Sequence, residues 1–230
     1  MIDWHSHILP GVDDGSADVS ESIALLEELS RQGVDTVIAT PHFYANDEPL
    51  QSFVERRQKA YEELCSAVTD SNIRILQGAE VRYYPGISRM SSLSDLHIDG
   101  GRLLLLEMPM TKWTEYTVKE IIELSSSKNS RLILAHIERY MRLQSAKVWE
   151  RLYESGAFMQ VNASFFTSFT KRKALKLLRD GGIHFIGSDC HNMSSRPPKL
   201  NLAYDLIRNK FGEDFLSQVD EYGKSVLFNK

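Results

Sequence analysis

Five of the seven histidines in this 230-residue chain, and several of its carboxylates, stand at the ends of short apolar runs. The first such place is Asp3 to Asp14, DWHSHILPGVDD, where His5 and His7 lie two residues apart. In an extended strand, side chains at i and i+2 share one face, so both imidazoles converge on one point. Gly11, Asp13 and Asp14 then turn the chain back past that point. Imidazole and carboxylate together suit divalent ions such as Zn, Mn and Fe. Taken alone, an H-x-H pair fits a surface strand with alternating polar residues as well as it fits a metal site.

The pattern repeats down the chain. VDTVIA (34–39) runs through Thr40-Pro41 to His42, and the run from Ile73 closes on Glu80. Leu103 to Leu106 ends at Glu107, Leu132 to Ala135 at His136, and Phe158 to Val161 at Asn162. Phe185 to Gly187 leads into Ser188-Asp189-Cys190-His191. One polar strand end is ordinary; seven in succession predict a shared site. His97 and His184 fall outside the pattern and are expected to be surface or satisfied core residues. Asp13 has no ligand role by spacing and is left with capping the turn.

Helical stretches separate these runs. They are expected near Asp18–Gln32, Ser52–Val68, Glu115–Ser126, Ala146–Glu154 and Lys171–Arg179, with a last pair near 200–210 and 213–222. Asp18 with Glu21 is a capping-box-like start, and Gly33 a stop. Residues 84–101 read as irregular, with one short helix. Alternating strands and helices predict an α/β fold with a parallel sheet or barrel. In (β/α) barrels the carboxyl ends of the strands face one mouth, where active sites are built.

Composition narrows the function classes. Residues are 42% hydrophobic and 25% charged, which supports a sizeable core in one large domain or two small ones. A net charge of −4 argues against a general nucleic-acid binder. No apolar run is long enough to span a bilayer and no signal-like segment opens the chain, so a cytoplasmic location is expected. Cys65 and Cys190 stand far apart and make neither a disulfide framework nor a cysteine-based zinc site.

The motifs DWHSHILPGVDDGS, IATPHF, GAEVRYYP, LLLLEMP, AHIERY, VNASF and GSDCHN followed by RPP carry a resemblance from Asp3 to Pro198. The sequence resembles the polymerase-and-histidinol-phosphatase (PHP) superfamily. Within it, the chain looks like the bacterial manganese-dependent protein-tyrosine phosphatases of the CpsB/CapC/YwqE type, linked to capsule and exopolysaccharide synthesis. The resemblance implies a single domain over residues 1–230 with a distorted (β/α)7 TIM-like barrel of the PHP type. It implies three divalent metal ions, manganese foremost, with iron or zinc as alternatives. His5, His7, Glu80 and Asp189 would hold the first ion, Glu80 with Glu107 and His136 the second, and Asp14, His42 and His191 the third. Four carboxylates among these ligands leave the loaded site with a positive surplus, which favours an anionic substrate.

Arg139 and Arg196 add positive charge beside His136 and His191, and a guanidinium fork matches phosphate oxygens. Surface ion pairing is the alternative for each arginine, and the family has arginines at these places. The expected activity is hydrolysis of phosphotyrosine, on the tail of a cytoplasmic bacterial tyrosine kinase, by a metal-activated hydroxide with no covalent intermediate. A small phosphomonoester such as histidinol phosphate is the alternative substrate. Against it, Asp14 and Glu107 stand where histidinol-phosphatase-type members commonly have histidine. An idle metal-binding scaffold would be expected to lack a ligand, and no ligand is missing; a nuclease is disfavoured by the acidic balance.

Cys190 and Arg196 form a C-x5-R spacing, the signature of cysteine-dependent phosphatases. That chemistry needs a thiolate cradled by backbone N–H groups in a glycine-rich loop. The intervening HNMSS has no glycine and Pro197-Pro198 follow, so the match is read as coincidence. Cys190 stands where the family commonly has alanine, and Ile137 where it has proline. Phe165, Phe166 and Phe169 either wall a slot for a phenyl ring or pack into the core.

Overall fold

The computed structural model describes residues 1–68, 73–167 and 169–228. Among them are β1 (Ile2–Ser6), α1 (Val19–Arg31), β2 (Thr36–Ala39), β3 (His42–Phe43), α2 (Leu50–Ala67), β4 (Arg74–Gln77) and β5 (Glu80–Arg82). There follow β6 (Leu103–Glu107), α3 (Glu115–Ser125), β7 (Arg131–Leu134), α4 (Ala146–Glu154), β8 (Phe158–Asn162) and α5 (Ser164–Thr167). The last elements are α6 (Lys171–Arg179), β9 (Phe185–Gly187), α7 (Leu200–Phe211) and α8 (Glu213–Phe228). Among the described residues every strand pairing is parallel.

The strands lie in two runs, β1-β2-β4 and β3-β5-β6-β7-β8-β9, which together make one curled sheet. The second and third expected strands are each split in two. Pro41 has no N–H to give a ladder and restricts Thr40 before it, which interrupts β2 from β3. Pairing continues across the break: Gly78 N donates to the Ala39 carbonyl at 2.8 Å and Glu80 N to the Pro41 carbonyl at 3.0 Å. Beyond β9, Asp189 N donates to the His5 carbonyl at 2.8 Å and His7 N to the Cys190 carbonyl at 2.9 Å. Those two bonds bring the chain's last strand end beside its first.

On β2, β6 and β7 both faces are largely apolar and buried, as continuous parallel sheets require. On β6, Leu104 and Leu106 join the large core beneath the helices. Leu103 and Leu105 point the other way, into a smaller core with Ile2, Trp4, Ile38, Leu76, Ile133, Phe158 and Phe185. Glu107 continues the second line, so a carboxylate succeeds two leucines at the carboxyl end of the strand.

The helices follow the sequence signals closely. Asp18 caps α1 by accepting from Glu21 N at 2.9 Å, and Glu21 returns the bond from Ala17 N at 3.0 Å. Buried Ser22, Leu25, Leu26 and Leu29 form its inner stripe. α8 runs six residues further than expected, to Phe228, and Val226 on that extension seals the smaller core. Gly223 permits this, because a Cβ there would sit 3.3 Å from the Trp4 ring. Residues 84–101 hold three 3₁₀ turns, whose Ile87, Leu93, Leu96 and Ile98 are buried. The short helix α5 was not expected.

Candidate metal centre

Each candidate ligand sits at a strand end or in the turn that follows it. β1 carries His5 and leads directly into His7; their Nε2 atoms are 3.1 Å apart. Glu80, the first residue of β5, lies at the centre of the group. Its Oε2 is 3.2 Å from His5 Nε2, 3.4 Å from His7 Nε2 and 2.9 Å from His42 Nδ1. Its Oε1 is 2.7 Å from His136 Nε2, and Glu107 Oε1 lies 3.8 Å from that same nitrogen. Asp189 Oδ1 is 3.8 Å from His5 Nε2 and 3.5 Å from His7 Nε2. Asp14, on the exposed turn, approaches His191 Nε2 at 3.4 Å and His42 Nε2 at 3.6 Å.

All nine candidate ligands therefore converge. Three tight sets of donor atoms emerge: His5, His7 and Glu80; His42, Glu80 and Glu107; and His7, Asp14, His42 and His191. Relative to the expected division, His7 also joins the third set and His42 the second. His136 and Asp189 lie one step out from these sets, on Glu80 and beside His5 and His7.

Two candidate ligands have a backbone that their type adopts rarely. His136 has φ +33° and Asp189 φ +53°, both in the left-handed region. Such conformations cost free energy and persist where the surroundings over-determine them, as at functional sites. The surroundings are visible here. His136 N donates to Gln160 Oε1 at 2.6 Å, and its Nδ1 is 3.0 Å from the Tyr140 hydroxyl. Tyr140 also accepts from Met108 N at 3.2 Å. Gly187 keeps room for His5: a Cβ there would lie 2.5 Å from His5 Cβ.

Asp13 does more than cap a turn. Its Oδ2 accepts from His7 Nδ1 at 2.7 Å and from His42 N at 2.9 Å, and its Oδ1 from Gly15 N at 2.9 Å. One carboxylate thus fixes the ring of His7, so that Nε2 faces the cluster, and the backbone of His42. A carboxylate behind a ligating histidine is the usual support of a metal site. Burial alone would raise the Asp13 carboxyl, but the His7 bond and charge and the two N–H groups hold it well below the usual range.

The electrostatics favour cations. Burial works against charge on His5 and His7, yet Glu80 and Asp189 acting on His5, and Asp13, Asp189 and Glu80 on His7, outweigh it and raise both imidazoles. Against burial, His5, His136 and His42 hold Glu80 well below the carboxylate range, and His5 and His7 do the same for Asp189. A field that holds protons on two buried imidazoles also attracts divalent ions. Among the described residues, buried His42 Nδ1, Glu107 Oε2 and His191 Nε2 have no hydrogen-bond partner. His42 Nδ1 lies 2.9 Å from Glu80 Oε2 without making a hydrogen bond to it. Orphaned buried donors of the imidazole and carboxylate types fit a metal cluster.

Arg139 and Arg196 meet at Asp189 rather than at His136 and His191. Arg139 Nη2 donates to Oδ2 at 2.6 Å and Arg196 Nη2 to Oδ1 at 2.8 Å, while Asn162 Nδ2 donates to Oδ2 at 2.7 Å. A recess of about 220 Å³ lies between the two arginines, also lined by Asn162, Ser164, Ser195 and Lys199.

The remaining candidates resolve into packing. Phe165 and Phe166 are buried in the main core, so they wall no slot, and Phe169 is fully exposed. His97 is buried between the Gly101 carbonyl and Ser130 Oγ, and His184 accepts from Met159 N. Cys190 is wholly buried, and burial pushes its thiol up, away from a reactive thiolate. Spacing overlooked Asp13, Gln160 and Tyr140 as supports. Only the short H-x5-D and H-x3-Y intervals (His7 to Asp13, His136 to Tyr140) left a trace of two of them.

A family model described as capsular polysaccharide synthesis, CpsB/CapC, matches residues 1–225. The chain belongs to the CpsB/CapC family. It is 33% identical to the tyrosine-protein phosphatase CpsB of Streptococcus pneumoniae, over 92% of this chain and 91% of that protein. It is 28% identical to the tyrosine-protein phosphatase YwqE of Bacillus subtilis, over 100% and 92%. One chain among solved structures described as those of YwqE from Bacillus subtilis and CpsB from Streptococcus pneumoniae, unique metal-dependent tyrosine phosphatases, superposes with a TM-score of 0.85 at 27% identity, covering 100% of this chain and 95% of that one. For this CpsB/CapC member, the motif resemblance and the family agree.

Proposed function

We propose that this CpsB/CapC protein is a metal-dependent protein-tyrosine phosphatase, folded as one domain over residues 1–230 in a distorted (β/α)7 barrel. The hydrogen bonds between β1 and the segment after β9 support closure of the sheet. The observation that carries the function is the convergence of five imidazoles and four carboxylates beside an arginine-lined recess. The metal ligands in this reading are His5, His7, Asp14, His42, Glu80, Glu107, His136, Asp189 and His191, shared among three ions, with manganese as the expected metal.

Divalent ions bound there supply Lewis acidity and make a strongly nucleophilic water available at neutral pH. The chain's own residues do the rest. Arg139 and Arg196 take phosphoryl oxygens with their planar forks and stabilise the charge that grows on them. Asp189 holds both guanidinium groups at the cluster's edge, and Asn162 anchors Asp189. Asp13, Gln160 and Tyr140 keep the imidazoles oriented. A phenolate leaves more readily than an alkoxide, so no strong general acid is required. Buried Cys190 has no part in the chemistry.

The physiological substrate in this reading is the phosphotyrosine tail of a cytoplasmic bacterial tyrosine kinase in capsule synthesis, which places the protein in the cytoplasm. Among the described residues no helix is long and apolar enough to cross a membrane. The test compares hydrolysis of a phosphotyrosine peptide, a phosphoserine peptide and histidinol phosphate by manganese-loaded protein. Preference for the first, abolished by a chelator, is expected. Comparable rates on all three would reduce the activity to that of a general phosphatase.

A further inference from the structure

A second recess borders the cluster, at His42 rather than at Asp189. It measures about 340 Å³ and is lined by Tyr44, Asp47, Arg82, Tyr83 and Tyr84, among others. It shares no lining residue with the arginine recess. Tyr44 connects it to the metal centre, since its ring stacks on that of ligand His42 at 5.2 Å and 23°.

Arg82 sets the chemistry of this recess. On β5 the side chains alternate: Val81 is buried in the main core, while Glu80 and Arg82 share the opposite face. Arg82 therefore stands two residues, roughly 6.7 Å, further along the strand than the central ligand Glu80. A phosphotyrosine with its phosphoryl group at the cluster and its phenyl ring directed along β5 would bring its peptide backbone toward Arg82. The guanidinium is exposed and lies 5.6 Å from the centre of the Tyr44 ring. Among the described residues no carboxylate pairs with it, although Glu107 is its register partner on β6. Glu107 turns to the cluster instead, its Oε1 3.8 Å from His136 Nε2. Among the described residues, Asp47 is the one acid lining the recess, and it makes no ion pair with Arg82.

We propose that this recess is a subsite for the residue beside phosphotyrosine in the substrate, and that Arg82 selects an acidic side chain there. The tyrosine walls supply apolar contact for its stem, and the unpaired guanidinium supplies the counter-charge. This rests on the reading of the protein as a phosphotyrosine hydrolase.

Three phosphotyrosine peptides of equal length test it with manganese-loaded protein. One carries Glu on both sides of phosphotyrosine and one carries Lys there. The third has the same net charge as the first, with its Glu residues moved four positions away. The first should exceed the other two in kcat/KM by roughly threefold or more, the scale of an exposed ion pair. Arg82→Glu should invert the order of the Glu and Lys peptides, and raised salt should erase it. An unchanged ratio in Arg82→Glu would overturn the subsite while leaving the phosphatase reading intact. No hydrolysis of any peptide by the wild type, with histidinol phosphate turned over, would overturn both.

Discussion

Asp13→Asn tests how the metal centre is built. The Asp13 carboxylate accepts three hydrogen bonds, from His7 Nδ1, His42 N and Gly15 N, and is nearly buried. The asparagine amide keeps the shape but offers one acceptor oxygen, and it sets an NH₂ group against at least one of the three donors. With its nitrogen in the Oδ2 place, the amide opposes His7 Nδ1, which keeps the Nε2 lone pair toward the cluster, and the His42 N–H; with its nitrogen in the Oδ1 place, it opposes Gly15 N and leaves His7 a neutral, weaker acceptor. Loss of such a supporting carboxylate typically weakens metal affinity 10- to 100-fold, or about 1.4–2.7 kcal/mol. The assay is manganese titration of chelator-stripped protein by calorimetry, with thermal unfolding of the stripped protein measured in parallel. Activity of the variant should be recovered at manganese concentrations raised by the same factor as the loss of affinity. Manganese binding within twofold of wild type, in a variant that is folded, would refute the role assigned to Asp13. A variant that melts early yet binds manganese normally would reduce Asp13 to a turn cap.

Three further outcomes are expected. Cys190→Ser should retain most phosphatase activity; its loss with metal content unchanged would revive the C-x5-R chemistry. Gly187→Ala should fold poorly or bind metal weakly, because its Cβ would lie 2.5 Å from His5 Cβ and 2.8 Å from Gln160 Nε2; normal metal content would contradict that crowding. His184 is packed among Tyr153, Phe158, Phe185 and Tyr222, and burial lowers its imidazole to about 4. The unfolded chain takes up this proton near pH 6.5 and the folded one does not, so stability is full above pH 6.5 and falls toward pH 4. Between pH 7 and 5 the loss is at most about 2 kcal/mol. Unfolding curves of wild type and His184→Gln should therefore converge as pH drops, and a constant gap would contradict the assignment.

The candidate ligands were legible in the sequence because their placement is local. An apolar run that must pair on both sides ends where the sheet ends, so His5, Glu80, Glu107 and Asn162 were already assigned to one rim. The i, i+2 spacing of His5 and His7 worked for the same reason, since the period of a strand is two. Helix α1 was equally readable from Asp18, Glu21 and Gly33. What the chain order left open needed two distant segments to meet. Asp13 and His42 are separated by 29 residues, Gln160 and His136 by 24, and Arg139 and Asp189 by 50. No periodicity records those approaches. The slot suggested for Phe165 and Phe166 failed for this reason: aromatic type says nothing about which side of a turn the core lies on. By itself the sequence determined which residues reach the mouth, through strand period and apolar run length. Only the tertiary structure decided their supports: the shared Asp13 carboxylate, the two arginines gathered on Asp189, and the left-handed backbone of His136 and Asp189. Those depend on packing across the curled sheet, where the surrounding bonds outweigh local preference.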